Sequence, residues 1–328
     1  MTNVIIPAAG VGTRLRPHTY TAPKALLQVA GKPILGHILD RLSGLNDLGT
    51  IWLVVGFLAE KIEDYVTSHY DLDVRFVYQQ ELKGLGFAIH LALQDIKSND
   101  PVLIILGDTI LEVDLNAFLE GPDDAIGVKE VDDPRRFGVV ETEGGLAKRL
   151  VEKPAEPPSN LAVIGLYGIK QTQLLRDCLV EIIKRNQTAA GELQMTDALQ
   201  LMVDRGSRMQ AKHVDGWYDC GKRETLLETN RHLLEKHSET YHPAESTVIP
   251  PSYISPSAQV QRSIIGPYAS IGDGATVRDA IVSNTIVSDG AEVRRCILHD
   301  SLVGSNAIVT GIAQQLNIGD SSEVGLND

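Results

Sequence analysis

The end of the chain repeats at short range, and that repeat restricts the folds open to it. Between Ile254 and Val303 an aliphatic recurs at intervals of five or six: Ile254, Val260, Ile265, Ile271, Val277, Val282, Val287, Val293, Leu298 and Val303. Small or turn-forming residues fill the intervals, as in GPYASIGDGATV (266–277). One inward aliphatic per short strand is what the triangular coils of a parallel β-helix stack on one another, so a left-handed hexapeptide-type β-helix is expected over residues 248–328. No lysine follows Lys236, and no leucine occurs between Leu234 and Leu298, which places a boundary near residue 237. Residues 238–247 then form a linker, with Pro243, Pro250 and Pro251 stiffening the entry to the solenoid.

Residues 1–237 follow a different rhythm. VIIPA (4–8), IWLVV (51–55), VRFVY (74–78) and VLIIL (102–106) are near-continuous apolar runs, the pattern of strands buried on both faces of a mostly parallel sheet. Between them lie helical patterns; Leu85, Ile89, Ala92, Leu93 and Ile96 fall at three- and four-residue steps and make one apolar stripe. The alternation predicts a Rossmann-like, doubly wound α/β domain with a mixed sheet, whose ligands sit beyond the carboxyl ends of the strands. The loops after Ala8, Tyr78 and Leu106 are expected at that mouth.

Composition narrows the function classes. The net charge of −13 removes the broad basic footprint that nucleic-acid binding needs, though a small anion requires only a local group of cations. No apolar run reaches the roughly 18 residues of a membrane span, and MTNVIIPAAG reads as a first strand, not a secretory signal, so a cytoplasmic address is expected. Cys178, Cys220 and Cys296 are too far apart for a zinc spacing and are read as reduced structural thiols.

Chemistry concentrates in the first loop, Ala9-Gly10-Val11-Gly12-Thr13-Arg14-Leu15. Its glycines let backbone approach a phosphate, yet Leu15 stands where a dinucleotide fingerprint has its third glycine, and no Gly-Lys-Ser/Thr follows as in a Walker loop. Arg14 within the loop and Lys24 in TAPK (21–24) bring two positive charges to a triphosphate held by backbone N–H groups; the alternative is a plain tight turn. Asp108 ends the strand VLIILGD, where a carboxylate needs a cation or hydrogen-bond donors, and a metal is its natural partner unless it only caps the next turn. Gln79, with both an amide donor and an acceptor, can match the O4/N3–H edge of uracil or thymine or can simply be solvated.

The segment GVGTRLRPHTYTAPKALLQVAGKPIL (10–35) closely resembles the signature of the sugar-1-phosphate nucleotidyltransferases, or NDP-sugar pyrophosphorylases. YQQELKGLGFAI (78–89), LGDTI (106–110), FGVVE (137–141), VEKP (151–154), GELQMTDAL (191–199) and WYDCGK (217–222) continue the resemblance in family order across the whole chain, and long-form glucose-1-phosphate thymidylyltransferases with a β-helical tail are the nearest kind. The resemblance implies that Ala9, Gly10, Gly12, Thr13 and Arg14 bind the nucleotide. It places Gln79, Gly84 and Leu85 at the base, and Asp108 with Asp219 on a Mg²⁺ ion. Gly138, Glu152, Lys153, Gly165 and Glu192 would serve the sugar phosphate, with Lys153 facing its phosphate. Read without the family, VEKP is a strand end before a proline turn, and Thr196 is an N-cap for the next helix. Ala190 stands where many thymidylyltransferases carry an arginine toward the sugar's phosphate, while IIPAAG and KGLG are closer to the uridylyltransferase branch.

The expected reaction joins dTTP or UTP to glucose-1-phosphate with release of pyrophosphate; UTP–glucose uridylyl and mannose-1-phosphate guanylyl transfer are the alternatives. Arg14, Lys24, Asp108 and Lys153 would carry it, and no protein nucleophile is needed. A regulatory paralogue that only senses sugar nucleotides usually loses such phosphate-handling residues, and all are present here. An acyltransferase in the tail would need His299 in an active corner, whereas capping and subunit assembly suit uncovered coil ends, so a homo-oligomer is expected.

Overall fold

The structure, a computed structural model, describes residues 1–185, 191–236, 241, 243–311 and 317–325. Contacts divide the chain into two compact units: Met1–Gly10 with Ile38–Trp217, and Val11–His37 with Tyr218–Asp328. Of the expected linker, residues 238–240 and 242 lie outside the described residues.

The first unit is built on a nine-stranded mixed sheet. Val74–Tyr78, Leu48–Val55, Thr2–Pro7 and Val102–Ile105 lie side by side and parallel, with Ile5 paired to Trp52 on one side and Ile104 on the other. Beyond them Leu161–Ile169 runs antiparallel, followed by Asp124–Glu130, Met209–His213, Leu146–Glu152 and Gly138–Glu143. Ile5, Val54 and Ile104 pack with Ile89 and Ala92 of the helix Leu85–Asp95 and with Leu179 of the helix Thr172–Lys184. Burial on both faces explains why the central strands read as unbroken apolar runs rather than alternating ones.

The parallel strands end together. Gly107 N–H donates to the Pro7 carbonyl at 3.2 Å, and a Cβ at Gly56 would lie 3.0 Å from the Ala9 Cβ and 3.1 Å from the Gln79 carbonyl. The three expected loops therefore do share one edge.

In the second unit, residues 247–311 and 317–325 form a parallel β-helix of three stacked faces. One ladder runs Ile254, Ile271, Val287, Val303, Ile318; a second runs Val260, Val277, Val293, Val309, Val324; a third runs Val248, Ile265, Val282, Leu298. Every aliphatic singled out by the spacing is buried in this core. Corners at Asp279, Asn284, Arg295, Asp300 and Asn306 take positive φ, a conformation that short polar side chains such as Asn and Asp tolerate well. His299, the last residue of the strand Ile297–His299, is exposed.

Candidate active site

The loop after the first strand is shaped by Gly12. Its φ of +67° is left-handed, and a Cβ there would lie 3.0 Å from Thr19 Cγ2 and 3.1 Å from Lys24 Cβ. The Gly12 carbonyl accepts from Leu15 N–H at 2.9 Å and from the Thr19 hydroxyl at 2.8 Å. These bonds turn the backbone so that the amides of Val11, Gly12, Thr13 and Arg14 donate to no protein acceptor among the described residues. A run of consecutive unengaged N–H groups is an anion cradle. Lys24, only 9% exposed, begins a short turn closed by Leu27 N–H to the Lys24 carbonyl at 3.1 Å, while the Arg14 side chain reaches solvent.

Arg14 and Asp219 converge within the second unit. A Cβ at Gly221 would lie 2.8 Å from both Arg14 Nη2 and Asp219 Oδ1, so a side chain at 221 would displace one or the other. The strand that carries Asp219 is fixed to the helix Arg223–Lys236 by Tyr218, whose ring stacks on His232 at 4.0 Å. Gly221 was given no role from the sequence, although it lies within WYDCGK (217–222).

The remaining predicted residues lie in the first unit. Asp108, half-buried, follows the strand Val102–Ile105 by way of Gly107 and receives the Thr109 hydroxyl at 3.4 Å. Gln79, 5% exposed, donates its Nε2–H to the Glu81 carbonyl at 3.1 Å, which leaves Oε1 as the acceptor free for a ligand. Gly84 has φ +94°, and a Cβ would come within 2.7 Å of the Leu193 carbonyl and 2.8 Å of Glu192 Cβ. Leu193 N–H to the Lys83 carbonyl at 2.7 Å and Gly86 N–H to the Leu193 carbonyl at 2.8 Å join these segments, so Gly84, Leu85 and Glu192 belong to one neighbourhood.

A second neighbourhood gathers Gly138, Glu152 and Thr196. Thr196 donates its hydroxyl to Glu152 Oε2 at 3.1 Å, and a Cβ at Gly138 would meet Thr196 Cγ2 at 2.7 Å and Glu152 Oε2 at 3.1 Å. The N-cap reading of Thr196 is therefore corrected: Gln194 precedes the helix Met195–Asp204, and Thr196, in its first turn, spends its hydroxyl on Glu152. Lys153, exposed and held at φ +42°, pairs with Glu152 Oε1 at 3.3 Å. Asp197, unassigned from the sequence, is raised above the ordinary carboxyl range by burial and then by the Glu152 charge. Gly165 has another partner: at φ +80° it bulges its strand, and Leu106 Cδ1 would lie 2.3 Å from an added Cβ. The arginine-for-alanine question at Ala190 falls on residues 186–190, outside the described ones.

The three cysteines are buried thiols; burial pushes Cys296 up to about 11 and also raises Cys178. No described helix is long and apolar enough to cross a membrane.

The mixed sheet of the first unit, with its polar loops gathered at the ends of the parallel strands, is the fold of a nucleotide-transferring enzyme. A family model described as nucleotidyl transferase matches residues 3–236, and the chain belongs to that family. It is 30% identical over 317 residues to the low-salt glycan biosynthesis nucleotidyltransferase Agl11 of Haloferax volcanii, with 86% of each chain covered. It is 31% identical over 314 residues to a glucose-1-phosphate thymidylyltransferase of Streptomyces griseus, again with 86% of each covered. Among solved structures, a UDP-glucose pyrophosphorylase complexed with UDP-glucose superposes with a TM-score of 0.61 at 28% identity, covering 72% of this chain and 100% of that one. The fold and the enzyme class expected from the sequence both hold: this is a sugar-1-phosphate nucleotidyltransferase fold followed by a β-helix.

Proposed function

We propose that the protein makes an NDP-glucose and pyrophosphate from dTTP or UTP and glucose-1-phosphate, by in-line attack of the sugar's phosphate oxygen on the α-phosphorus. The observation that carries this reading is the run of unengaged amides from Val11 to Arg14 beside Lys24 and Arg14. A sugar phosphate is already an anion at neutral pH, so the protein has to hold two repelling anions in line and offset the charge that builds up. Ala9, Gly10, Gly12 and Thr13 supply backbone approach, and Arg14 and Lys24 stabilise the triphosphate and the departing pyrophosphate. Gln79 Oε1 accepts the base's N3–H, with Gly84 alongside. Glu152, oriented by Thr196, accepts sugar hydroxyls, Glu192 assists, Gly138 and Gly165 keep the backbone close, and Lys153 steers the incoming phosphate.

A divalent ion, Mg²⁺ in this reading, belongs with Asp108 and Asp219. Both are half-buried carboxylates, and hard oxygens with few protein ligands suit that ion. Among the described residues no group of three or more His, Cys, Asp and Glu gathers as a metal site. When bound, it would neutralise phosphate charge. Association into a homo-oligomer in the cytoplasm is part of the same proposal.

Thymine and uracil differ by a methyl worth about 1–3 kcal/mol in a pocket, so base choice is a matter of measured discrimination. A panel of five nucleoside triphosphates against four sugar-1-phosphates, read by pyrophosphate release, tests the assignment. Fastest turnover of dTTP or UTP with glucose-1-phosphate is expected; a preference for GTP with mannose-1-phosphate would replace it.

A further inference from the structure

The segment that carries Lys24 runs lengthwise along the β-helix, and its contacts climb the coils in order. Gly31 lies beneath Tyr253 on the first rung, where an added Cβ would sit 2.4 Å from the ring. Ala30 N–H donates to Asn230 Oδ1 at 2.8 Å, and the same oxygen accepts from Ser270 on the second rung at 2.7 Å. Gln28 Nε2–H donates to Asp289 Oδ2 at 2.7 Å, just past the third rung. At the fifth, His18 bonds Asn317, Thr21 bonds Asp320, and Pro17 covers Gly319. Lys24 is thus tethered on both sides, by Thr21 before it and Gln28 after it. Between these anchors Leu27 N–H closes on the Lys24 carbonyl at 3.1 Å, and the Gly12 turn lies so near that a Cβ there would meet Lys24 Cβ at 3.1 Å.

We propose that the β-helix is a positioning element of the triphosphate site: Asp289, Asn317 and Asp320 act through Gln28, His18 and Thr21 to set Lys24 and the Gly12 turn for the nucleotide. This rests on the reading of that loop as the triphosphate cradle. Beyond covering coil ends or joining subunits, the solenoid then has a direct bearing on nucleotide affinity. Asp289 is suited to the task because its half-buried carboxylate already accepts Asp273 N–H through Oδ1 at 2.8 Å, which leaves Oδ2 aimed at Gln28.

The Gln28–Asp289 pair can be reversed chemically. Gln28→Glu opposes two carboxylates and Asp289→Ala removes the acceptor, whereas Gln28→Glu combined with Asp289→Asn restores a donor–acceptor pair with the roles exchanged. In the full-length enzyme each single variant is expected to raise KM for dTTP about tenfold and to speed hydrogen exchange over residues 17–31, leaving KM for glucose-1-phosphate unchanged; the double variant returns to within about threefold of wild type. Single variants with an unmoved dTTP KM, whether or not exchange quickens, overturn the proposal, as does a double variant that suffers both losses. Arg14→Ala tests the cradle separately. If it raises KM for dTTP while the pair variants do not, the positioning role alone falls; if it leaves KM unmoved, the cradle reading and the positioning role fall together.

Discussion

His18, 4% exposed, is pushed below its ordinary pKa of 6.5 by burial, against the opposing pull of its bond to Asn317 and the charge of Asp320. A folded-state pKa below the unfolded one means that acid favours the unfolded chain. The stabilisation is complete above about pH 6.5 and drains away as pH falls toward the folded value. Thermal unfolding of wild type and His18→Gln, followed from pH 7.5 to pH 5, should show the wild type losing more stability than the variant; parallel curves would remove His18 from the account. Residue by residue, Arg14 and Lys24 could be singled out in the sequence because cations after a glycine turn are a local signal. Thr196 misled, because its partner Glu152 is 44 positions away and only tertiary folding reveals that its hydroxyl is engaged. Asp197 and Gly221 lie inside GELQMTDAL and WYDCGK, but what each does there is legible only from what packs against it.

Among the elements, the β-helix was the most legible, since each coil needs its aliphatic at a fixed interval and the ladder Val248, Ile265, Val282, Leu298 follows from spacing alone. Leu298 is fully buried on the last described rung of that ladder, so Leu298→Ala should cost about 2–5 kcal/mol. Because stacked coils depend on their neighbours, loss of hydrogen-exchange protection should centre on the strands Ile281–Ser283 and Glu292–Arg294 and spare the nine-stranded sheet. Equal loss everywhere would show that the two units unfold as one. The direction of Leu161–Ile169 was hidden, because a continuous apolar run looks the same parallel or antiparallel. Its bulge could be suspected only from Gly165, whose tight fit on Leu106 needs the fold to be seen.

At the scale of the whole molecule, the residues read as functional divide between the two units. Arg14, Lys24 and Asp219 cluster with the β-helix; Gln79, Asp108, Glu152, Lys153 and Glu192 belong to the large sheet. That grouping was invisible in the sequence, because Gln28 and Asp289 are 261 positions apart and Thr21 and Asp320 are 299 apart, whereas family motifs are read along the chain. The central claim is that a carboxylate at the end of the Val102–Ile105 strand serves nucleotidyl transfer and not the fold. Asp108→Asn keeps the size of the side chain and removes its charge. Pyrophosphate release by this variant, measured with the wild type's best substrate pair beside its melting temperature, should fall at least on the order of a hundredfold with melting unchanged within about 2 °C. Near-normal release, or a loss of activity that merely tracks unfolding, would contradict the account.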